Sequence, residues 1–363
     1  MPKRCITVGQ LFCMLFISRM IVNLTYSPII SSSNSMWDHI ISAIISFFIT
    51  FLLVIPVYFI CNKREPMNIA DISCFLLGKI GLIFVFVYAI YYIFVCIYTL
   101  SLFDDFVANV MNPKTPIILM SSAIMLTAAY GAYKGIEALV RTSGFILFLI
   151  VVASLFIIIT LLPNIDKLNY EPLMYYGNGN VVNGILLMIS MTSCIPAMAM
   201  LIPLTKGNVK KGILLWNIAV YFSISIFIVV IVGALGDYLK TQMFPIYTAT
   251  TIAGIGFLKN LDALYLGIWT TGLFIKISLF LLLFSMCVKR IFGNKAARIS
   301  ILLGAIIITI LSNLVINYRS LSNFIYNINF LLSFTLLTSF LIPLILLIVD
   351  YIKAERRKKI EES

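Results

Sequence analysis

Residues 185–206 read ILLMISMTSCIPAMAMLIPLTK. The stretch is long and apolar enough to cross a bilayer. Its middle, Ser190-Met191-Thr192-Ser193-Cys194-Ile195-Pro196, is a poor sequence for an unbroken helix. Proline has no N–H, and its ring strikes the carbonyl four residues back, so unpaired backbone groups are expected around Thr192. In lipid such groups survive only where protein buries them or a cavity receives them. The segment is therefore expected to face a ligand or water. The competing reading is a proline-kinked span whose hydroxyls bond back to carbonyls one turn earlier.

Working outward, the chain of 363 residues is 61% hydrophobic and 11% charged, where soluble domains carry about 25% charged residues. This is the composition of a polytopic membrane protein. The net charge of +12 does not imply a nucleic-acid partner, because the basic residues sit in short connections and a tail.

Runs of about 20 apolar residues place ten spans near 6–26, 37–60, 80–102, 116–133, 142–162, 182–203, 213–235, 263–287, 299–317 and 328–350. Of the 26 basic residues, Arg19 and Lys276 fall inside spans, and Lys114, Lys167, Lys240, Lys259 and Arg319 share one set of connections. All the others lie in the alternate set or at the two ends. By the positive-inside rule both termini are then cytoplasmic, and residues 351–363 form a basic cytoplasmic tail. The expected architecture is a single transmembrane domain, 1–363. No cysteine falls in an outer connection, so disulfides are not expected. With no CxxC pair and His39 the sole histidine, neither a metal site nor a cofactor is expected. Lys3 and Arg4 precede an apolar run, but no small-residue cleavage site follows, so span one is expected to be retained.

Within the spans a few residues stand out. Arg19 lies near the centre of span one, with Ser27 and Pro28 beyond it. An intramembrane charge points into the bundle or a wet cavity, or else snorkels or pairs for structural reasons. On span three Tyr88, Tyr91 and Tyr92 share one helical face, either as packing or as a binding wall whose hydroxyls need partners. On span eight Trp269, Gly272 and Lys276 form one stripe. The cytoplasmic connection 62–79 has room for a short helix along the membrane. The long outer connection 237–262 is expected to hold helical pieces packed over the site. If the ten spans are two sets of five, with a first repeat of about 6–162 and a second of about 182–350, then spans one and six correspond. Both then hold interruptions, the pattern of an inverted-repeat protein with its site at mid-membrane.

Several motifs together carry a resemblance: ITVGQLF at the start, YGAYKGIEALVRTSG before span five, AMLIPLTKGNVKKG at the end of span six, FPIYTATTIAGIGFLKNLDALYLGIWTTGLFIKISLF from Phe244 to Phe280, and the basic tail. They resemble the spore germination B-subunits, the permease-like subunits of nutrient germinant receptors. These belong to the amino acid, polyamine and organocation transporter superfamily. The resemblance implies an all-α, LeuT-like five-plus-five inverted repeat of about ten transmembrane helices with discontinuous first and sixth helices. It also implies a substrate held between spans one, three, six and eight. Depth and polarity on those spans select Ser18, Arg19, Tyr88, Tyr92, Ser190, Thr192, Ser193, Cys194 and Thr271 as candidate ligand-binding residues.

The chain departs from the family pattern in two places. Cys194 stands where relatives often carry an acidic residue, and Ser18-Arg19-Met20 replaces a small, glycine-containing break. A ligand carboxylate would suit Arg19 if that side chain reaches the site. Lys276 is expected either to substitute for the cation that sodium-coupled members hold between spans one and eight, or to pair structurally with another span or subunit. The implied function is nutrient sensing in the spore inner membrane, with a small nutrient, an amino acid in this reading, as ligand. The implied partners are a membrane A-subunit and a lipoprotein C-subunit. The alternative is a secondary amino-acid transporter, which would share fold and pocket. An embedded enzyme is disfavoured, since one histidine near an interface leaves little acid–base chemistry.

Overall fold

The computed structural model describes residues 6–25, 36–111, 116–170, 177–255, 258–259 and 261–361. Among these, nine helical stretches are long and apolar enough to cross a membrane. The tenth apolar helix is α1 (Val8–Thr25), apolar over Val8–Ile21. In chain order there follow α2 (Met36–Lys63), α3 (Ile69–Leu77), α4 (Gly81–Phe106), α5 (Ile117–Lys134), α6 (Ile136–Leu161), α7 (Asn178–Ser190) and α8 (Cys194–Leu201). The remainder are α9 (Val209–Leu235), α10 (Pro245–Ile252), α11 (Asp262–Phe292), α12 (Asn294–Asn317), α13 (Arg319–Ile325), α14 (Ile328–Leu336) and α15 (Ile342–Glu361).

The expected spans are recovered. Span six is α7 plus α8, and span ten is α14 and α15 joined by a π-type turn at Leu337–Leu341. Of the expected extramembrane pieces, α3 fills the 62–79 connection and is capped by Asn68, whose side chain accepts from the Asp71 N–H at 2.9 Å. The 237–262 connection holds a 3₁₀ turn at Gly236–Thr241, α10, and a hairpin of β3 (Gly254–Ile255) with β4 (Leu258–Lys259). Two connections are single glycines. Gly135 (φ +86) turns α5 into α6 and Gly293 (φ +87) turns α11 into α12, a backbone state that glycine adopts without a Cβ clash.

The end of the bundle that carries Lys63, Arg64, Lys206 and Lys211 is called the basic end here. There β1 (Ile6–Thr7) pairs in parallel with β2 (Thr205–Lys206), Ile6 opposite Thr205. This ties the start of span one to the end of span six. Also at this end, buried Asp350 of α15 receives Lys63 at 2.7 Å and the Arg64 guanidinium, both from the end of α2.

The interior is organised around spans six and eight. The window of span six is 89% buried and that of span eight 67%, against 33% for span five. Helix α11 packs on α4, α5, α12, α6 and α1, while α7 packs on α2 and α14. The approach of α1 to α11 depends on Gly272, where a Cβ would lie 2.5 Å from Ile21 Cδ1.

One expectation is corrected. Helix α1 is wound without interruption from Val8 to Thr25. Neither glycine nor proline occurs between Gln10 and Thr25, so every residue there can donate its N–H, and a mid-helix charge does not break the ladder. The expected signal at Ser27-Pro28 lies outside the described residues. The discontinuity in span six is where the sequence places it.

Candidate functional site

Helix α7 ends at Ser190 and α8 begins at Cys194. Between them Thr192 N–H donates to Ile189 O at 2.9 Å and Ser193 N–H to Met191 O at 3.0 Å. Pro196 has no N–H for the Thr192 carbonyl, which is why the helix cannot run through. Carbonyls at such a break need other donors, and side chains from two other spans supply them, while a third span bonds to the start of α8. Arg19 of α1 donates through Nη2 to Met188 O at 2.7 Å and through Nη1 to Met191 O at 3.1 Å. Thr335 of α14 donates to Ser190 O at 3.0 Å, and Tyr92 of α4 to Pro196 O at 2.8 Å. Cys194 returns the contact, its thiol facing Leu15 O at 3.4 Å.

The same logic operates on span ten. A π-type turn pairs residue i with i+5, so the Thr338 carbonyl looks toward residue 343. That residue is Pro343, which has no hydrogen to give. Tyr88 supplies it, donating to Thr338 O at 2.6 Å.

Beside these contacts lies a hollow at mid-span lined by Tyr91, Phe94, Val95, Tyr98, Ser190, Met191, Ser193, Lys276, Leu331 and Thr335. It offers about 20 Å³ to the centre of a water molecule, enough for one small occupant, since a single water needs roughly 10–15 Å³ by this measure. Away from the basic end, a cluster of aromatic rings packs together. Phe106 meets Trp269 at 4.6 Å and Phe244 at 4.9 Å, and Tyr265 stacks on Trp269 at 6.3 Å with an interplanar angle of 11°. Helix α10 carries Tyr247 into the same cluster, 5.2 Å from Phe106.

Of the candidate residues, Ser190, Ser193 and Lys276 line the hollow. Ser190 spends its hydroxyl on Leu187 O at 2.8 Å, whereas the Ser193 hydroxyl oxygen is buried without a partner among the described residues. Arg19, Tyr88 and Tyr92 are buried behind this wall and hold its backbone, as above. Thr192 bonds back to Met188 O at 3.0 Å. Ser18 is buried on α1 beside the Cys194 thiol. Thr271 is not brought to the site. It is exposed on the outer face of α11 and bonds back to Gly267 O at 3.0 Å and Ile268 O at 2.8 Å. One residue along the helix is a rotation of about 100°, which carries position 271 off the buried Trp269–Gly272–Lys276 stripe.

Seven lining residues fell outside the sequence selection, among them Tyr91 and Thr335, whose hydroxyls lie 3.3 Å apart. The Tyr91 ring also packs edge-on against Phe334 at 5.1 Å. The polar run Ser333, Thr335, Thr338, Ser339 just before Pro343 was the available signal for span ten.

The nearly all-helical bundle, interrupted in its sixth span beside a small hollow, is a membrane protein of LeuT-like fold. Its fold matches that of a Na+-coupled sialic acid symporter solved in a substrate-bound, outward-open state, with a TM-score of 0.60 at 14% identity, over 92% of this chain and 79% of that one. The chain belongs to the spore germination protein family, whose model matches residues 5–320. Among named relatives, spore germination protein XB of Bacillus anthracis is 26% identical over 204 residues, 54% of this chain and 56% of that protein. The putative spore germination protein YfkT of Bacillus subtilis is 22% identical over 277 residues, 71% of this chain and 72% of that protein.

Proposed function

We propose that this protein is the nutrient-sensing subunit of a spore germinant receptor. In this reading it resides in the spore inner membrane with both termini cytoplasmic. It binds a small nutrient, an amino acid, in the hollow beside the span-six break, and it signals occupancy to a membrane A-subunit and a lipoprotein C-subunit to trigger germination. One observation carries the reading. The break opens on a hollow inside the bundle, of mixed polar and apolar lining, that has room for about one water, far less than an amino acid needs. Ligand entry therefore requires the surrounding helices to move apart, and a ligand that favours one arrangement shifts the population between two. That shift is a signal a partner subunit can read. The permease-like character of the family supports the same conclusion, since a bundle built to alternate between states needs no added machinery to act as a switch.

The test pairs two measurements. Spores lacking the gene are exposed to single amino acids, and the purified protein in vesicles is given the same amino acids in labelled form. Sensing predicts germination to at least one amino acid lost on deletion and restored by complementation, with no flux above empty vesicles. Steady accumulation of label would assign the protein instead to secondary amino-acid transport.

A further inference from the structure

Two cations, Arg19 and Lys276, are buried in the middle of this bundle, 1% and 2% exposed. Neither is ion-paired among the described residues. The buried carboxylates are spent elsewhere: Asp350 at the basic end holds Lys63 and Arg64, while Asp38 and Asp104 sit at the opposite ends of α2 and α4. A buried charge without a counter-ion is costly, and the core holds two such cations. The two cations are not equivalent, however. Arg19 already donates to the Met188 and Met191 carbonyls. Lys276 donates to no acceptor among the described residues, and its Nζ lies 5.9 Å from the centroid of the Phe280 ring.

This difference argues against Lys276 as a stand-in for a metal cation. An ammonium in such a place would take over the oxygen atoms that ligated the metal, and here it bonds none. The hydrogen inventory of the wall leads the other way. Ser190 gives its hydrogen to Leu187 O and Thr335 gives its own to Ser190 O, which leaves the Tyr91 hydroxyl to donate to Thr335 Oγ1. The unspent donors on the wall are the Lys276 ammonium and the Ser193 hydroxyl, 2% and 6% exposed. A wall with donors to spare, one of them charged, is built for an acceptor.

We infer that the hollow is an anion site in which Lys276, assisted by Ser193, receives a small monoanionic group: the carboxylate of the nutrient. The inference rests on the proposed reading that a nutrient binds in this hollow, and it assigns the carboxylate to span eight and not to Arg19. The closed form admits only a group of carboxylate or halide size, with the rest of the ligand accommodated as Phe94, Val95, Met191 and Leu331 move apart. Chloride offers the same chemistry and is the second source to be tested.

The experiment follows thermal unfolding of the full-length protein in detergent against L-amino acids, the corresponding amino-acid amides, and sodium chloride exchanged for sodium gluconate. The expected result is stabilisation by at least one amino acid and not by its amide. Lys276→Met should weaken that amino acid by at least about thirtyfold, as for one partner of a buried charge pair, while Lys276→Arg retains part of it. Without ligand, Lys276→Met should melt no lower than the natural chain, because an uncompensated charge has been removed. Should that variant fail to fold, the comparison of acid with amide on the natural chain and on Ser193→Ala still decides. If the amides protect as well as the acids, the carboxylate assignment is overturned and the nutrient reading stands. Protection by chloride alone, dependent on Lys276, would keep the anion site and overturn the amino-acid reading. No Lys276-dependent protection by any compound overturns the inference.

Discussion

Arg19 Nη2 and the Met188 carbonyl meet at 2.7 Å across the centre of the bundle, joining span one to the end of half-helix α7. The arrangement is a helix C-terminus capped from outside. The last carbonyls of a helix carry partial negative charge, and a guanidinium brought from another span satisfies two of them at once. The first prediction concerns this cap. Arg19→Met, close in length but without donors, takes the charged donor from two buried carbonyls, leaving Met188 O only the Thr192 hydroxyl and Met191 O only the Ser193 N–H, and about 1.5–3 kcal/mol is expected for each lost hydrogen bond to a charged group. The melting temperature of the purified protein should fall by several degrees with or without nutrient present. A loss of nutrient response at unchanged thermal stability would contradict the structural role and return Arg19 to the ligand.

Tyr92 and Tyr91 supply an internal comparison for the second prediction. Tyr92 bonds the Pro196 carbonyl at 2.8 Å, whereas the Tyr91 hydroxyl reaches Thr335 at 3.3 Å. Tyr92→Phe deletes this hydrogen bond to a carbonyl of α8, at a cost of about 0.5–1.5 kcal/mol. Tyr91→Phe leaves Thr335 still bonded to Ser190 O and should cost less. Denaturation midpoints of the two variants in one detergent give the order directly. Equal losses would mean that the span-six break is held by something other than Tyr92.

What the sequence could and could not reveal divides along the same physical line. The break at Met191–Ser193 was legible because Pro196 removes an N–H, a local fact. A break in span one was expected from its correspondence with span six and from the family resemblance, but Ser18-Arg19-Met20 contains no residue that removes a backbone donor, and α1 runs on. The polar stripe on span three was legible too, though periodicity places Tyr88, Tyr91 and Tyr92 on one face without saying which of them lines the hollow. It is Tyr91. Span ten entered unannounced, because which helix lies beside a break is decided by tertiary packing, and the hydroxyl run around Thr335 looks the same on any span.

Gly272 carries the third prediction. A Cβ there would sit 2.5 Å from Ile21 Cδ1 and 3.0 Å from Ile21 Cγ1, so Gly272→Val must push α1 away from α11. Overpacking of this kind costs about 1–3 kcal/mol. Because α1 also carries Arg19, the cap on α7 should loosen with it. Gly272→Val combined with Ile21→Ala should regain part of the lost melting temperature. If the single variant melts like the natural chain, α1 and α11 are not in contact at this level.

The last prediction sets Thr271 against Ser193. Both are hydroxyl residues, but Thr271 faces outward and is already bonded to its own helix, while Ser193 faces the hollow unpartnered. Thr271→Val should leave stability within about 0.5 kcal/mol, as for surface positions without special contacts, and should leave the nutrient concentration for half-maximal germination unchanged. Ser193→Ala removes no protein hydrogen bond, so stability should again be unchanged. It does remove a donor to the ligand, and the half-maximal concentration should rise about fivefold, the equivalent of one hydrogen bond of roughly 1 kcal/mol. Dose–response curves of spores carrying each variant measure both. A shift for Thr271→Val and none for Ser193→Ala would move the binding surface from the hollow to the outer face of α11.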